Sequence, residues 1–311
     1  MEAAQGDGRV GATRRGGSPM SDAGRVLITG ASGQLGLDLC DEFEDRDPVP
    51  LPHDQLDVSD RSDVSEAISH HRPSVVINAA AWTDVDGCES DPVKAHAVNA
   101  LGPWWLAQAC ERIGARLVTY STDYVFDGAV PQGPGGRPRG FTEFDPVSPI
   151  NAYGRSKAAG ESLVREALDD HHIVRTSWVC GSRGGNFVRT MVRLAKQGEP
   201  LKVVDDQFGC PTFTRDLAGA TRRLVEGGLP GTVNITNRGS TSWYEFATEV
   251  FRVGSFSVDL SPQSSSDLDR PAPRPAWSVL DATHATAIGV GPLPDWRASL
   301  ARLVGELGPS G

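Results

Sequence analysis

Five cysteines are few and scattered for a chain of 311 residues: Cys40, Cys88, Cys110, Cys180 and Cys210 are odd in number and contain no CxxC pair. That usage excludes a disulfide scaffold and a zinc ribbon, and reduced buried thiols are the expectation. Long apolar runs are missing as well, and none approaches the roughly 20 residues that a membrane-spanning helix needs. Basic residues are outnumbered, 30 Lys and Arg against 40 Asp and Glu, for a net charge of -10. This excludes a general surface for nucleic acid or anionic membranes, although a few local arginines still suffice to hold a phosphate. The leader MEAAQGDGRVGATRRGGSPMSDAG lacks both the apolar centre of a signal peptide and any periodicity. It predicts a disordered tail over 1–24 and a protein that stays in the cytoplasm.

From Arg25 onward a clear pattern is present. RVLITG is a β-branched run ending in glycine, and GQLGLDLCDEF after it carries apolar residues at helical spacing. The alternation repeats in PSVVINAAA (strand), DPVKAHAVNALGPWWLAQACERIG (helix), ARLVTYST (strand), a helix from near Asn151, and HHIVRTSWV (strand). Nearly all-apolar strands alternating with helices predict an α/β fold: a Rossmann-type doubly wound parallel sheet with a smaller mixed C-terminal substrate lobe. The predicted division assigns 25–180 to the dinucleotide-binding domain, with 200–235 returning to it, and 181–199 and 236–311 to the substrate lobe. Prolines and glycines in GAVPQGPGGRPRGFT make the stretch between Asp127 and Glu143 a loop. Ser242 and Glu245 form a capping box at the head of SWYEFATEVF.

TGASGQLG places Gly30, Gly33 and Gly36 between a strand and a helix. A pyrophosphate needs a tight turn, a close backbone and free amides at a helix start, and glycine supplies the first two. Tyr153 and Lys157 in YGRSK are four apart and so share one helix face. Ketone reduction needs a proton for the oxygen while hydride reaches the carbon; a phenol beside an ammonium, its pKa thereby lowered, is suited to give one. Thr122 falls at the carboxyl end of a strand, where open α/β sheets bind ligands.

In order, TGASGQLG, LDVSD, NAAAWTDVDGCES, AVNALGP, STDYVFDG, YGRSK, VRTSWV, NFVRTM, VVDDQFGCPT and RPAPRPAWSVLD resemble the dTDP-4-dehydrorhamnose reductases, of the extended short-chain dehydrogenase/reductase superfamily. The resemblance runs from Arg25 to about Trp296. It implies reduction of the 4-keto group of dTDP-6-deoxy-L-lyxo-4-hexulose to dTDP-L-rhamnose, with NADPH or NADH as coenzyme. The alternatives are a 4-ketoreductase for another dTDP-deoxysugar and a non-catalytic dinucleotide-binding regulatory subunit. The implied catalytic residues are Thr122, Tyr153 and Lys157. The implied coenzyme contacts are Gly30, Gly33, Gln34, Leu35, Gly36, Asp57, Val58, Ala79, Ala80, Ala81 and Asn99, together with Tyr153 and Lys157. Substrate contacts fall on Thr122, Asp123, Tyr124, Trp178 and Arg274. No metal site is expected, because Arg215 would oppose a cation near Asp38. The partners expected are the dTDP-4-keto-deoxysugar and no nucleic acid or membrane, with the chain a monomer or homodimer.

Overall fold

The computed structural model describes residues 24–308; the tail expected over 1–24 lies, but for Gly24, outside them. The first half of the chain runs β1 (Val26–Thr29), α1 (Gln34–Glu42), β2 (Val49–Leu51), α2 (Arg61–His71), β3 (Val75–Asn78), α3 (Val85–Ser90), α4 (Pro92–His96), α5 (Gly102–Ile113), β4 (Arg116–Thr122) and α6 (Ala152–Ala167). There follow β5 (His171–Thr176), β6 (Val179–Cys180), α7 (Phe187–Gln197), β7 (Leu201–Val204), β8 (Phe208–Gly209), β9 (Thr212–Phe213), α8 (Thr214–Gly227) and β10 (Gly231–Asn234). The chain closes through β11 (Thr241–Ser242), α9 (Trp243–Val253), β12 (Leu260–Gln263), α10 (Thr283–Ala287) and α11 (Trp296–Leu307).

Six parallel strands lie in the order β10-β5-β4-β3-β1-β2. VLIT, VVIN and HHIVRT are buried at every position, as strands covered on both faces require. On one face α1, α8 and α10 bring Leu39, Leu217, Leu224 and Ala285 against Val26, Ile28 and Val174. On the other α2, α5 and α6 bring Val64, Leu106 and Val164 against Leu27, Val76 and Leu117. Connections from β1 go to β2 on one side and, after β2, to β3 on the other, so the order reverses between β1 and β3. A crevice opens at the carboxyl ends of strands at such a reversal.

A separate apolar cluster holds the second lobe: Val188, Val192, Val203, Phe246, Phe251, Trp296 and Leu300 pack together. Its helix α9 begins with the expected capping box at Ser242 and Glu245. Two domain boundaries are corrected. The segment from 200 was expected to rejoin the large sheet, but β7 pairs in parallel with β12 and Val203 packs in the second lobe. The return therefore begins at Thr214, where α8 packs on the first face of the sheet. Within 236–311, Ala285, Val290 and Leu293 also belong to that face of the large domain. The long helix expected over 91–114 is divided by a wider π turn at Ala97–Leu101. The 127–143 loop contains one short turn at Pro134–Gly136 and bridges Phe141 to Leu280. No helix among the described residues is long and apolar enough to cross a membrane.

Candidate active site

At the crevice between β1 and β3 lies a cleft of about 620 Å3, within the range of small-molecule sites. Its first wall is the glycine turn. Gly30 has φ +63°, and a Cβ there would stand 2.6 Å from the Ala80 nitrogen. A Cβ on Gly36 would stand 2.2 Å from the Gly30 carbonyl oxygen. Side chains at either position would push this turn away from the strand beside it. Gly33 precedes α1, whose first turn has no side-chain cap, leaving amides for an anion. Gly33, Gln34, Leu35 and Ala79, Ala80 and Ala81 line the cleft. The cradle that a Cβ would fill, together with open amides, fits the pyrophosphate of a dinucleotide. Gln34 also joins the two lobes: it donates to the Gly185 carbonyl at 2.8 Å and accepts from Asn186 Nδ2 at 2.8 Å.

The opposite wall is the start of α6. Asn151 caps it by accepting from the Gly154 amide at 2.8 Å, and Glu89 Oε2 accepts from the Ala152 amide at 2.7 Å. Gly154 is required because a Cβ would come within 2.1 Å of the Tyr124 carbonyl. These contacts seat Tyr153 and Lys157 in the cleft beside Thr122, Asp123 and Tyr124. Burial, more than any neighbour, sets the phenol and drives the Tyr153 pKa up. The YGRSK spacing expects the Lys157 ammonium to lower this phenol, and burial opposes it. Lys157 is itself lowered to about 8 by desolvation, opposed by the charge of Glu161 one turn on. That carboxylate receives Arg175 Nε at 2.9 Å and Ser121 Oγ at 2.6 Å. Asp123 is pushed up to about 7 by burial, which the hydrogen bond that Thr122 donates to Oδ1 at 2.9 Å opposes. Among the described residues Asp123 Oδ2 and Thr176 Oγ1 have no hydrogen-bond partner.

An aromatic wall completes the cleft. Trp178 adopts φ +46°, unusual for a bulky residue, and stacks on Trp243 with centroids 3.5 Å apart and planes 9° apart. Gly209 lies against the indole, where a Cβ would come 2.5 Å from Cε2. Trp243, Thr176 and Ser177 line the cleft without having been singled out in the sequence. At Trp243 the only sequence signal was an indole following a helix cap, which reads equally as core.

Four expected contacts have other partners. Asp57 Oδ1 caps its own turn by accepting from the Ser59 amide at 2.9 Å, and Val58 is buried against Gly102. Asn99 bonds the Trp82 amide and carbonyl, both at 2.9 Å, and Ser156 Oγ, which leaves its amide committed to the scaffold. Arg274 grips Asp86 through both terminal nitrogens at 2.7 Å and the Ala272 carbonyl at 2.6 Å. None of the four lines the cleft. Among the described residues no group of three or more His, Cys, Asp or Glu could hold a metal ion.

The RmlD substrate binding domain family matches residues 24–308. A dTDP-4-dehydrorhamnose reductase of Streptomyces griseus is 45% identical over 285 residues, covering 89% of this chain and 91% of that one. One from Mycobacterium tuberculosis H37Rv is 44% identical over 282 residues, with 89% and 91% covered. The crystal structure of the reductase from Bacillus anthracis, in complex with NADP, superposes with a TM-score of 0.86 at 40% identity, over 91% of this chain and 99% of that one.

Proposed function

Because the chain belongs to the dTDP-4-dehydrorhamnose reductase family, we propose that its cleft reduces the 4-keto group of dTDP-6-deoxy-L-lyxo-4-hexulose to give dTDP-L-rhamnose. NADPH or NADH, when bound, supplies the hydride. Gly30 and Gly36 keep the turn clear of side chains, and the amides after Gly33 hold the pyrophosphate. Ala79, Ala80 and Ala81 let the coenzyme lie close to the backbone. Lys157 fixes the nicotinamide ribose and contributes positive charge. Thr122 hydrogen-bonds the ketone oxygen and Tyr153 gives it a proton, leaving a phenolate. Trp178, held by Trp243 and Gly209, forms the apolar side of the sugar pocket, and Asp123 and Tyr124 meet the sugar's polar side.

The observation that carries this reading is the meeting of Thr122, Tyr153 and Lys157 in one cleft with the glycine turn. Mixing the protein with the 4-keto nucleotide sugar and NADPH or NADH, and following coenzyme oxidation by absorbance, tests it. Turnover is expected; none with either coenzyme rejects it. NMR of the product reads the configuration at C4 and separates this enzyme from a 4-ketoreductase making another dTDP-deoxysugar. Tyr153→Phe is expected to lower kcat by about 10²- to 10⁴-fold, the usual worth of a general acid, while coenzyme still binds. A cytoplasmic location and a monomeric or homodimeric state belong to the same proposal.

A further inference from the structure

The coenzyme turn and the aromatic wall are built from different lobes, and one side chain bridges them. Gln34 opens α1, so its backbone amide is among those left free for the pyrophosphate. Its side chain faces the second lobe. Nε2 donates to the Gly185 carbonyl at 2.8 Å, while Oε1 accepts from Asn186 Nδ2 at 2.8 Å and from the Gly181 amide at 3.2 Å. These partners span 181–186, the segment that leads from β6 to α7. It runs along one face of α1, because Asp38 and Asp41 follow Gln34 at helical spacing and both accept from Arg183 Nη2.

From Gln34 the contacts continue to the aromatic wall. Asn186 caps α7 by accepting from the Arg189 amide at 3.1 Å, and its Nδ2 also donates to the Gly181 carbonyl at 2.8 Å. Phe187, the next residue, packs on Trp243 with ring centroids 4.6 Å apart, and Trp243 is the ring on which Trp178 is stacked. Gln34, Trp178 and Trp243 all line the cleft. Half of the segment's six residues are glycine, Gly181, Gly184 and Gly185, and glycine has the most backbone freedom to lose when it is ordered. A Cβ at Gly184 would stand 2.6 Å from Gln34 Cγ, so the chain is bare where the glutamine crosses it. The partly exposed Arg183 pairs are the other tie to α1, and ion pairs of that kind hold weakly.

We propose that the Gln34 side chain is the positioning group that makes nucleotide-sugar binding depend on bound coenzyme. This role rests on the reduction reading given above. A pyrophosphate on the turn fixes the Gln34 backbone. The side chain then holds 181–186 on a fixed base and, through Asn186 and Phe187, sets the Trp243 and Trp178 rings where the sugar meets them. Whichever ligand arrives first bears the cost of ordering the segment, so the second binds more tightly. The dependence is mutual: the nucleotide sugar tightens the coenzyme by the same factor.

Calorimetric titration of the full chain with dTDP-L-rhamnose, alone and with saturating NADPH, reads the dependence; both ligands are in their reduced forms and cannot react. The wild type is expected to bind the nucleotide sugar at least about fivefold more tightly with NADPH present, the lower end of usual coupling. Gln34→Met keeps the length and the backbone amide but removes all three bonds, and NADPH should then change the affinity by less than about twofold. Asn186→Asp still caps α7 and loses only its donor to Gln34 and Gly181, so the same loss is expected. The double variant should lose no more coupling than either single one. A wild type without coupling, or either single variant that keeps it, overturns the proposal. So does a Gln34→Met protein whose affinity falls equally with and without NADPH, since general damage to the lobe would do that. Turnover with the 4-keto substrate separates the two readings: its absence with coupling intact rejects the reduction alone, and its presence without coupling rejects the role of Gln34 alone.

Discussion

Glu161→Gln removes one charge from the most heavily bonded carboxylate beside the cleft, and its cost can be worked from the contacts. Arg175 Nη2 lies 2.7 Å from Oε2 and Nε 2.9 Å from Oε1, with both side chains 2% exposed. Ser121 Oγ adds a bond at 2.6 Å from the strand residue before Thr122. The amide retains the volume but leaves the Arg175 guanidinium buried without a counter-charge, since its other contact is a carbonyl, that of Glu143, at 3.4 Å. Breaking a buried pair by removing one partner costs about 3–5 kcal/mol. At the roughly 2 °C per kcal/mol expected for a domain of this size, the melting temperature should fall by about 6–10 °C. Calorimetry of the protein without coenzyme measures it. The same carboxylate opposes the desolvation that holds Lys157 at about 8, so its loss should move the Lys157 titration further down and shift the alkaline limb of coenzyme binding to lower pH. Adding Arg175→Met should restore most of the lost stability, because the orphaned charge goes with it. A single variant that melts within a degree of wild type, or a double variant no better than the single, would refute the reasoning.

Two further outcomes follow from the packing. Gly209→Ala places a methyl 2.5 Å from the Trp178 indole, which is stacked on Trp243; the ring must shift, so KM for the nucleotide sugar should rise about tenfold or more while coenzyme affinity is kept, as steady-state kinetics and coenzyme titration would show. His172, fully buried with neither ring nitrogen bonded, is lowered to about 4 by desolvation first and the Arg116 charge second. The fold holds it neutral while the unfolded chain protonates it below its ordinary value, so stability falls as pH drops from about 6.5 to 4. His172→Leu should flatten that limb by about 3 kcal/mol, read from melting temperatures across the window, and an unchanged slope would rule His172 out as its source.

What could be read from the sequence was what local geometry dictates. Gly30, Gly33 and Gly36 announce a turn because their spacing and the flanking strand and helix admit few other conformations. Tyr153 and Lys157 must share a face once the helix is granted. What could not be read was direction across the fold. Asn99 and Arg274 carry the right chemistry for a ligand, yet their donors are spent on Trp82, Ser156, Asp86 and Ala272, partners chosen by packing. LKVVDDQ reads as a strand, but Leu201 pairs with Leu260, so the lobe it joins depends on a segment far along the chain. The phenol shows the same limit: four-residue spacing places an ammonium on its helix face but does not show that Tyr153 is buried, which drives its pKa up. Spacing says which groups can meet, and burial decides which of them holds the proton. Glu161 and Asp123 are both acids beside the same cleft, and what separates them is a partner that the sequence does not show: Arg175 holds Glu161 ionised, whereas burial pushes Asp123 up.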